Sequence, residues 1–127
     1  MRKRTVAVVG ASTDRAKYGN KSVRAHRQQG WEVYPVHPTA DAIEGLKAYA
    51  SLRDVPVRVN RVSLYLPPDL GLEVLPDIAK AGPEEFFVNP GAESEELVAA
   101  ATRLGLEPIL ACSIVDLGVS PAQFPDD

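Results

Sequence analysis

Five short runs of apolar residues constrain the fold of this chain more than any other feature. They occupy positions 5–9, 32–36, 62–66, 85–89 and 108–111. Each run is rich in β-branched or aromatic residues and ends at a glycine, proline or small polar residue, as buried strands do. The runs recur at roughly the ~30-residue spacing of a strand–helix–strand unit. Continuous apolar strands that alternate with helices predict a parallel sheet covered on both faces.

Helical segments fill the intervals between these runs. We expect a first helix over 20–29, with Asn20 as its N-cap and Gly30 just beyond its end, and partly exposed because its apolar stripe is thin. A second helix ends at Ala81 and either begins near Pro76 or is kinked there. A third follows Ser94, whereas residues 113–127 are too broken by glycine and proline to assign. These elements predict a single Rossmann-like, doubly wound α/β domain over residues 1–127, with a mainly parallel five-stranded sheet.

Composition favours a soluble chain of one domain. Its 127 residues are 45% hydrophobic and 24% charged, and no apolar run is long enough to span a bilayer. The start, Met1–Arg4, carries no hydrophobic leader. The single cysteine, Cys112, has no partner for a disulfide and no metal-ligand spacing around it, so we expect a small buried residue in a reducing, cytoplasmic protein.

Charge is distributed unevenly along the chain. Residues 1–63 hold twelve Lys and Arg against five Asp and Glu, whereas residues 64–127 hold two against twelve. Five of the cations follow the first strand directly, at Arg15, Lys17, Lys21, Arg24 and Arg27. The acidic second half and the lack of a basic aromatic platform disfavour nucleic acid. A solvated helix face and a phosphate ligand both fit the cations, and their position beside a glycine turn favours phosphate.

That glycine turn links the first strand to the first helix. Gly10 ends the strand, a loop of small and hydroxyl residues follows, and Gly19 precedes the helix. Peptide N–H groups at such a helix start attract anions. The dinucleotide signature G-x-G-x-x-G fails at Ser12, and the second strand ends at His37 without the acid that holds a ribose. No Gly-Lys-Ser or Gly-Lys-Thr follows Gly10, which also excludes a P-loop.

Taken in order, several segments resemble the small stand-alone CoA-binding proteins, which are similar to the CoA-binding domain of the succinyl-CoA synthetase α subunit. The resemblance covers nearly the whole chain and rests on 8–12, Gly19, 33–38, 49–56, 65–68 and 89–94. Two positions depart from the family pattern. His37 stands where the family usually has Asn, and Val88-Asn89 stands where it usually has an aromatic residue and Gln.

The resemblance implies a site for coenzyme A, or an acyl-CoA, where the strands end. The implied contacts are Gly10, Ala11, Ser12 and Thr13 for pyrophosphate; Arg15, Lys17 and Lys21 for phosphate charge, with Tyr18 and Gly19 beside them; Pro35, Val36, His37 and Pro38 for adenosine; Leu66, Pro67 and Pro68 for pantetheine; and Asn89, Pro90 and Gly91 for the thiol end. A branched side chain at Gly10 is expected to abolish binding while leaving the fold largely intact.

The chain offers little for catalysis. In the synthetase a histidine of a second domain is phosphorylated, and 127 residues leave no room for that domain. Of the two histidines here, we expect His26 on the surface and His37 at the ligand rim, and neither has an evident nucleophile or carboxylate partner in the sequence. A CoA binder without catalytic residues or metal, working alone or with a protein partner, is therefore expected. An NAD(P)-binding protein, or an acyl-CoA ligase or reductase component of the same fold, is the alternative, and an adaptor with a vestigial site is a third.

Overall fold

The sheet carries apolar residues on both faces, and helices cover both. The computed structural model describes residues 3–127; Met1 and Arg2, part of the basic start, lie outside the described residues. The elements are β1 (Thr5–Val9), α1 (Tyr18–Gln28), β2 (Glu32–Val36), β3 (Ala42–Ile43), β4 (Leu46–Lys47), β5 (Arg61–Leu64), α2 (Pro68–Ala81), β6 (Glu85–Val88), α3 (Glu95–Arg103), β7 (Pro108–Leu110) and α4 (Ser113–Asp116), with single 3₁₀ turns at Leu52–Asp54 and Pro121–Gln123. Five strands pair in parallel in the order β2-β1-β5-β6-β7, which confirms the predicted fold class.

Alternate residues of the strands point into two separate cores. Ala7, Val9, Leu64 and Val88 belong to the core that includes Leu75, Ile78 and Leu97 of α2 and α3. Val6, Val8 and Val33 belong to the other, which includes Val23 of α1. Because successive side chains of a strand point to opposite faces, both faces require apolar residues, and the continuous apolar runs follow from this.

The order of the strands opens a crevice between β1 and β5. The chain leaves β1 toward β2 on one side, then returns across the sheet to β5 on the other side of β1. Connections that diverge in this way leave space at the carboxyl ends of the two strands, where open α/β sheets bind ligands. The loops that follow Val9 and Leu64 border this crevice.

The first helix differs from the prediction at its start. It begins at Tyr18 after Lys17, so Asn20 is not its N-cap. The Asn20 amide instead donates to the main-chain oxygen of Ser12 at 2.9 Å and to Glu44 Oε2 at 3.0 Å. The side chain that we expected to cap the helix therefore holds the loop before it. Gly30 lies just beyond the end as predicted, with a φ of 87°.

The first helix is partly exposed as predicted, at Tyr18, Arg27 and Gln28, but the prediction that His26 lies on the surface is wrong. Ser22 and His26 are both fully buried. The cover comes from the segment that we left unassigned: Ile114 of α4 and Phe124 pack with Ala25 into a third apolar cluster. An apolar stripe read from α1 alone could not show this, because the residues that bury it lie about ninety positions later in the chain.

The remaining elements follow the predictions closely. The α2 helix ends at Ala81 as predicted, but it runs from Pro68 and continues through Pro76, so the alternative that it begins near Pro76 is wrong. The hydroxyl of Ser94 accepts the Leu97 N–H at 3.0 Å, which confirms the predicted N-cap of α3. The expected strands at 62–66, 85–89 and 108–111 end one or two residues earlier, because the last residues of each run turn into the loops.

Arg61 is the most deeply buried cation and lies at the start of β5. It is 2% exposed, its guanidinium carbon lies 4.5 Å from the Trp31 ring centre and 4.4 Å from that of Phe87, and it pairs with Asp116 at 2.6 Å and Glu85 at 3.1 Å. The side chains of Glu85 and Asp116 are 30% and 45% exposed, so solvent screens each pair, but losing both would leave the buried guanidinium without a counter-charge. This cluster fastens α4 to the amino-terminal edge of the sheet.

The same cluster keeps His26 neutral. Its Nδ1 lies 2.9 Å from the main-chain oxygen of Ser22 and so donates, which leaves Nε2 to accept from Arg61 Nη1 at 3.3 Å. Burial lowers the pKa of His26 to about 4, and the Arg61 charge adds to the shift against the hydrogen bond to Ser22. A protonated ring would place an N–H against the guanidinium.

We predict that the free energy of unfolding falls as the pH is lowered from about 6.5 to about 4. In that window His26 is protonated in the unfolded chain but stays neutral in the folded chain. Because the unfolded state binds more protons, lowering the pH favours unfolding. The loss is on the order of 3 kcal/mol across the window. Urea unfolding at several pH values measures it.

Carboxylates also titrate near pH 4, so two variants isolate the contribution of the histidine. His26→Gln should flatten the pH dependence, and His37→Gln, which replaces the half-buried histidine outside this cluster, is the matched control. Equal slopes in all three proteins would show that His26 does not titrate as described.

Candidate functional site

A cleft of about 520 Å³ opens at the carboxyl ends of β1 and β5. It lies at the crevice between these two strands, bordered by the loop that follows each. Its lining residues are Gly10, Ala11, Ser12, Ala16, Lys17, Tyr18, Gly19, His37, Pro38, Tyr65, Leu66, Pro67, Pro90 and Gly91. Twelve of these were predicted from the sequence, from four separate stretches of the chain. Parallel strands bring them together because all their exits lie at one edge.

The floor of the cleft depends on two glycines in close contact. A Cβ built on Gly19 would overlap the main-chain oxygen of Gly10. Gly10 itself has a φ of 94°, and a Cβ there would lie 3.0 Å from the carbonyl carbon of Tyr65. The expectation that a branched residue at Gly10 leaves the fold largely intact is therefore wrong: the position needs glycine for the backbone path as well as for access.

The loop between the glycines holds its own shape. Ser12 Oγ accepts the Asp14 N–H at 3.0 Å, and Asp14 Oδ1 accepts the Ala16 N–H at 3.0 Å. Because the Ser12 oxygen acts as an acceptor in this turn, its O–H is left to donate. The loop thus presents a hydroxyl donor at the wall of the cleft.

The start of α1 gives this wall a positive character. Tyr18 and Gly19, its first two residues, both line the cleft, and the helix start has no side-chain cap. Peptide N–H groups at such a start carry partial positive charge and bind anions. The exposed Lys17, directly before the helix, adds a full charge at the same place. Together these groups can hold a phosphate.

The other two predicted cations are held by different partners. Lys21 Nζ lies 2.6 Å from Asp126 Oδ1. Arg15 Nη1 donates to the main-chain oxygen of Asp127 at 2.7 Å, and its Nε lies 3.4 Å from Glu44 Oε2. Neither residue lines the cleft.

Four more of the predicted contacts also lie off the cleft wall. Thr13 is exposed in the loop, Pro35 lies within β2, and Pro68 is the first residue of α2. Asn89 is 1% exposed, and its side chain bonds within the protein. Its amide donates to Ser63 Oγ at 2.9 Å, and its Oδ1 accepts the Ser113 N–H at 2.8 Å. This side chain ties α4 to β5 behind the wall.

Tyr65 connects this buried network to the cleft and was not predicted. It lines the cleft, and its hydroxyl lies 3.1 Å from Ser113 Oγ. Burial raises the pKa of Tyr65, so the phenol stays neutral. Ala16 was missed as well. Ala16 directly follows the predicted Arg15 and Tyr65 directly precedes the predicted Leu66, but only the paths of the loops place them on the wall.

His37 forms a fixed corner of the rim. Its Nδ1 accepts the N–H groups of Thr39 at 3.1 Å and Ala40 at 2.9 Å, so in the neutral ring the proton lies on Nε2. The ring therefore offers one donor at the cleft, and its other nitrogen is used by the turn. Such a residue suits a hydrogen bond to a ligand better than proton transfer.

A smaller apolar pocket of about 240 Å³ adjoins the cleft. The two share Gly10, Pro38 and Leu66. Its other lining residues are Val9, Val36, Ala50, Ser51, Leu52, Leu70, Glu73, Val74 and Asp77. Of the predicted contacts, Val36 lies here. The site is thus a polar cleft beside an apolar recess.

Among residues 3–127 we find neither a metal-binding cluster nor a membrane-spanning helix. Within that range no three His, Cys, Asp or Glu side chains come together as metal ligands. Over the same range no helix is long and apolar enough to cross a bilayer. Cys112 is a free, half-buried cysteine beside the third apolar cluster.

A parallel five-stranded sheet of this order, with a glycine turn and a helix start at its switch point, places the chain in the doubly wound α/β class. Residues 4–118 match the CoA binding domain family, and the chain belongs to that family. The resemblance noted from the sequence is thereby confirmed.

The relatives include both small proteins and long ligases. A conserved hypothetical protein from Pyrococcus furiosus is 40% identical, with a TM-score of 0.81 over 89% of this chain and 98% of that one. An ADP-forming acetate–CoA ligase from Archaeoglobus fulgidus is 35% identical over 73% of this chain and 14% of its own length. A dinucleotide-forming acetyl-coenzyme A synthetase from Ca. Korarchaeum cryptofilum is 36% identical, with a TM-score of 0.72 over 83% of this chain and 25% of its own. The chain thus spans a quarter or less of these two enzymes.

We predict that Gly19→Ala destabilises the protein by about 1–3 kcal/mol, the usual cost of overpacking. The new methyl group would meet the main-chain oxygen of Gly10, which cannot move without moving β1. Denaturant unfolding measures the loss.

Gly71→Ala is the matched control, because Gly71 is also helical. There the new Cβ would lie 2.9 Å from Leu97 Cδ1, the end of a flexible side chain, and alanine favours the helix by up to ~1 kcal/mol. A loss at Gly19 no larger than at Gly71 would contradict the described contact.

Proposed function

We propose that this chain binds coenzyme A or an acyl-CoA in the cleft at the carboxyl edge of the sheet, and that it supplies no catalytic residue of its own. The observation that carries the proposal is the uncapped start of α1, which meets the Gly10–Ser12 loop at the wall of a cleft that adjoins an apolar recess. Membership of the CoA binding domain family supports the same ligand.

The polar wall suits the pyrophosphate. Main-chain N–H groups of the loop, the Ser12 hydroxyl and the first turn of α1 provide donors, and Lys17 provides charge. Charge-assisted hydrogen bonds of this kind are the strong ones. Thr13, although off the wall, belongs to the same loop and remains within this proposal.

The apolar recess suits the adenosine. Val36, Pro38 and Leu52 give it apolar walls, and the carboxylates of Glu73 and Asp77 also belong to its lining. Burying a flat heterocycle there removes apolar surface from water. His37 Nε2 and Ser51, at the edges, can recognise polar atoms of the base or ribose. The carboxylate that holds a ribose in NAD-binding domains has no counterpart at the end of β2.

The pantetheine would then run along Leu66 and Pro67 toward Pro90 and Gly91. Proline and glycine offer shape and main-chain groups but no acid or base. Near the thiol end the titratable side chain on the wall is Tyr65, whose raised pKa keeps it neutral. This composition supports binding rather than acyl transfer, and a protein partner would have to supply any chemistry.

We predict that CoA raises the melting temperature and that NADH and NADPH do not. A ligand at 100 times its Kd stabilises the fold by about 2.7 kcal/mol, which corresponds to about 10 °C for a domain of this size. A thermal-shift panel of CoA, acetyl-CoA, NADH and NADPH makes the comparison. A shift with the nicotinamide cofactors and none with CoA would overturn the proposal, and no shift with any of them would favour an adaptor.

Two lysine variants test the position of the site. Lys17→Met should weaken CoA binding several-fold and reduce its salt dependence, because it removes one charge from the cleft. Lys80→Met removes a charge on α2, away from the cleft, and should bind as the wild type does. Equal affinities for the two variants would place the ligand elsewhere.

A further inference from the structure

The last described residues lie across the cations that were expected to bind phosphate. Lys21 Nζ is 2.6 Å from Asp126 Oδ1, Arg24 Nη2 donates to the main-chain oxygen of Pro125 at 2.9 Å, and Arg15 Nη1 donates to that of Asp127 at 2.7 Å. Three basic side chains thus converge on three consecutive residues, which we call the acidic segment (125–127).

The acidic segment is held in place from its amino-terminal side. Phe124 is 5% exposed and packs with Ala25 and Ile114. Before it, the Ser120 hydroxyl and the Gln123 side chain cap a 3₁₀ turn reciprocally. The segment therefore starts from a fixed point beside α1, and its contacts with the cations do not depend on a free chain finding them.

The basic side chains also contact the loop of the cleft. Arg24 Nη2 donates to the main-chain oxygen of Arg15 at 2.9 Å, within that loop. Lys21 Nζ lies 6.0 Å from the ring centre of Tyr18, which lines the cleft. A lysine side chain has enough rotatable bonds to move its ammonium group over such a distance.

The ion pair between Lys21 and Asp126 is one in which a ligand can replace the carboxylate. The Lys21 side chain is 10% exposed, but that of Asp126 is 71% exposed. Ion pairs with an exposed partner are weak and screened by salt. The pyrophosphate of CoA as a whole, and its 3′-phosphate, each carry more negative charge than one carboxylate and accept charge-assisted hydrogen bonds, so either can replace Asp126 on the lysine.

We propose that Asp126 is an internal competitor for a phosphate group of the ligand: it occupies Lys21, and ligand binding releases it. The proposal rests on the proposed function for the position of the ligand. Binding of CoA then includes the cost of breaking the Lys21–Asp126 pair, and the affinity is set partly by a segment that lies outside the cleft wall.

Asp126→Asn tests this, because it removes the charge and keeps the shape. We expect it to bind CoA about two- to fivefold more tightly than the wild type by isothermal titration, in line with the strength of a largely exposed ion pair. Glu107→Gln, which removes an exposed carboxylate at the opposite edge of the sheet, should bind as the wild type does. An unchanged affinity in Asp126→Asn, or an equal gain in Glu107→Gln, would overturn the proposal.

A second pair of measurements identifies the cation and the phosphate. In a Lys21→Gln background, Asp126→Asn should no longer increase the affinity, and a persisting gain would mean that Lys21 is not the group released. Dephospho-CoA separates the two sources of phosphate: a gain for both ligands assigns Lys21 to the pyrophosphate, and a gain for CoA alone assigns it to the 3′-phosphate.

Inorganic pyrophosphate keeps this test separate from the proposed function. If neither the wild type nor Asp126→Asn binds CoA, the proposed function is wrong. The competition is then judged on pyrophosphate alone, for which Asp126→Asn must still bind more tightly than the wild type, and equal binding would overturn it.

Discussion

The contact between Gly10 and Gly19 is the constraint on which the site depends. It brings the end of β1 against the start of α1 so closely that a single methyl group has no room. The loop between the two glycines therefore lies at the cleft wall. The side chains of Ser12 and Asp14 hold its turns by accepting main-chain N–H groups. The first N–H groups of α1 thereby reach the crevice between β1 and β5, where a helix start can hold an anion.

The two edges of the sheet use charge in opposite ways. At the amino-terminal edge Arg61 is buried, stacked between Trp31 and Phe87 and paired with two carboxylates, and the neutral ring of His26 completes the cluster. The guanidinium of Arg61 therefore has its partners within the protein. At the carboxyl edge, main-chain N–H groups, a hydroxyl and Lys17 remain open to a ligand. The first arrangement stabilises the fold, and the second leaves room for function.

Much of this could be predicted from the sequence, because strands, their exits and glycine turns are local signals. The runs at 5–9 and 32–36 and the cap at Ser94 needed no knowledge of distant residues. His26 was predicted on the surface and Asn89 at the thiol end of the ligand, and both are buried. Their hydrogen-bond partners, Arg61 and Ser113, lie 35 and 24 residues away, so no local signal shows these contacts. The acidic segment likewise gains its meaning only from contacts with Lys21, 105 residues earlier. Residue type identified the cations, but only packing shows which of them lines the cleft.

The central claim is that CoA occupies the carboxyl edge of the sheet, and a titration of ¹⁵N-labelled protein with CoA followed by NMR tests it most directly. The account predicts that the largest shifts of amide signals fall on Ala11, Ser12, Lys17, Tyr18 and Gly91, which line the cleft. The amides of Thr5, Asn60 and Glu84, around a groove at the opposite edge, should stay unchanged. Shifts concentrated at that opposite edge would contradict it.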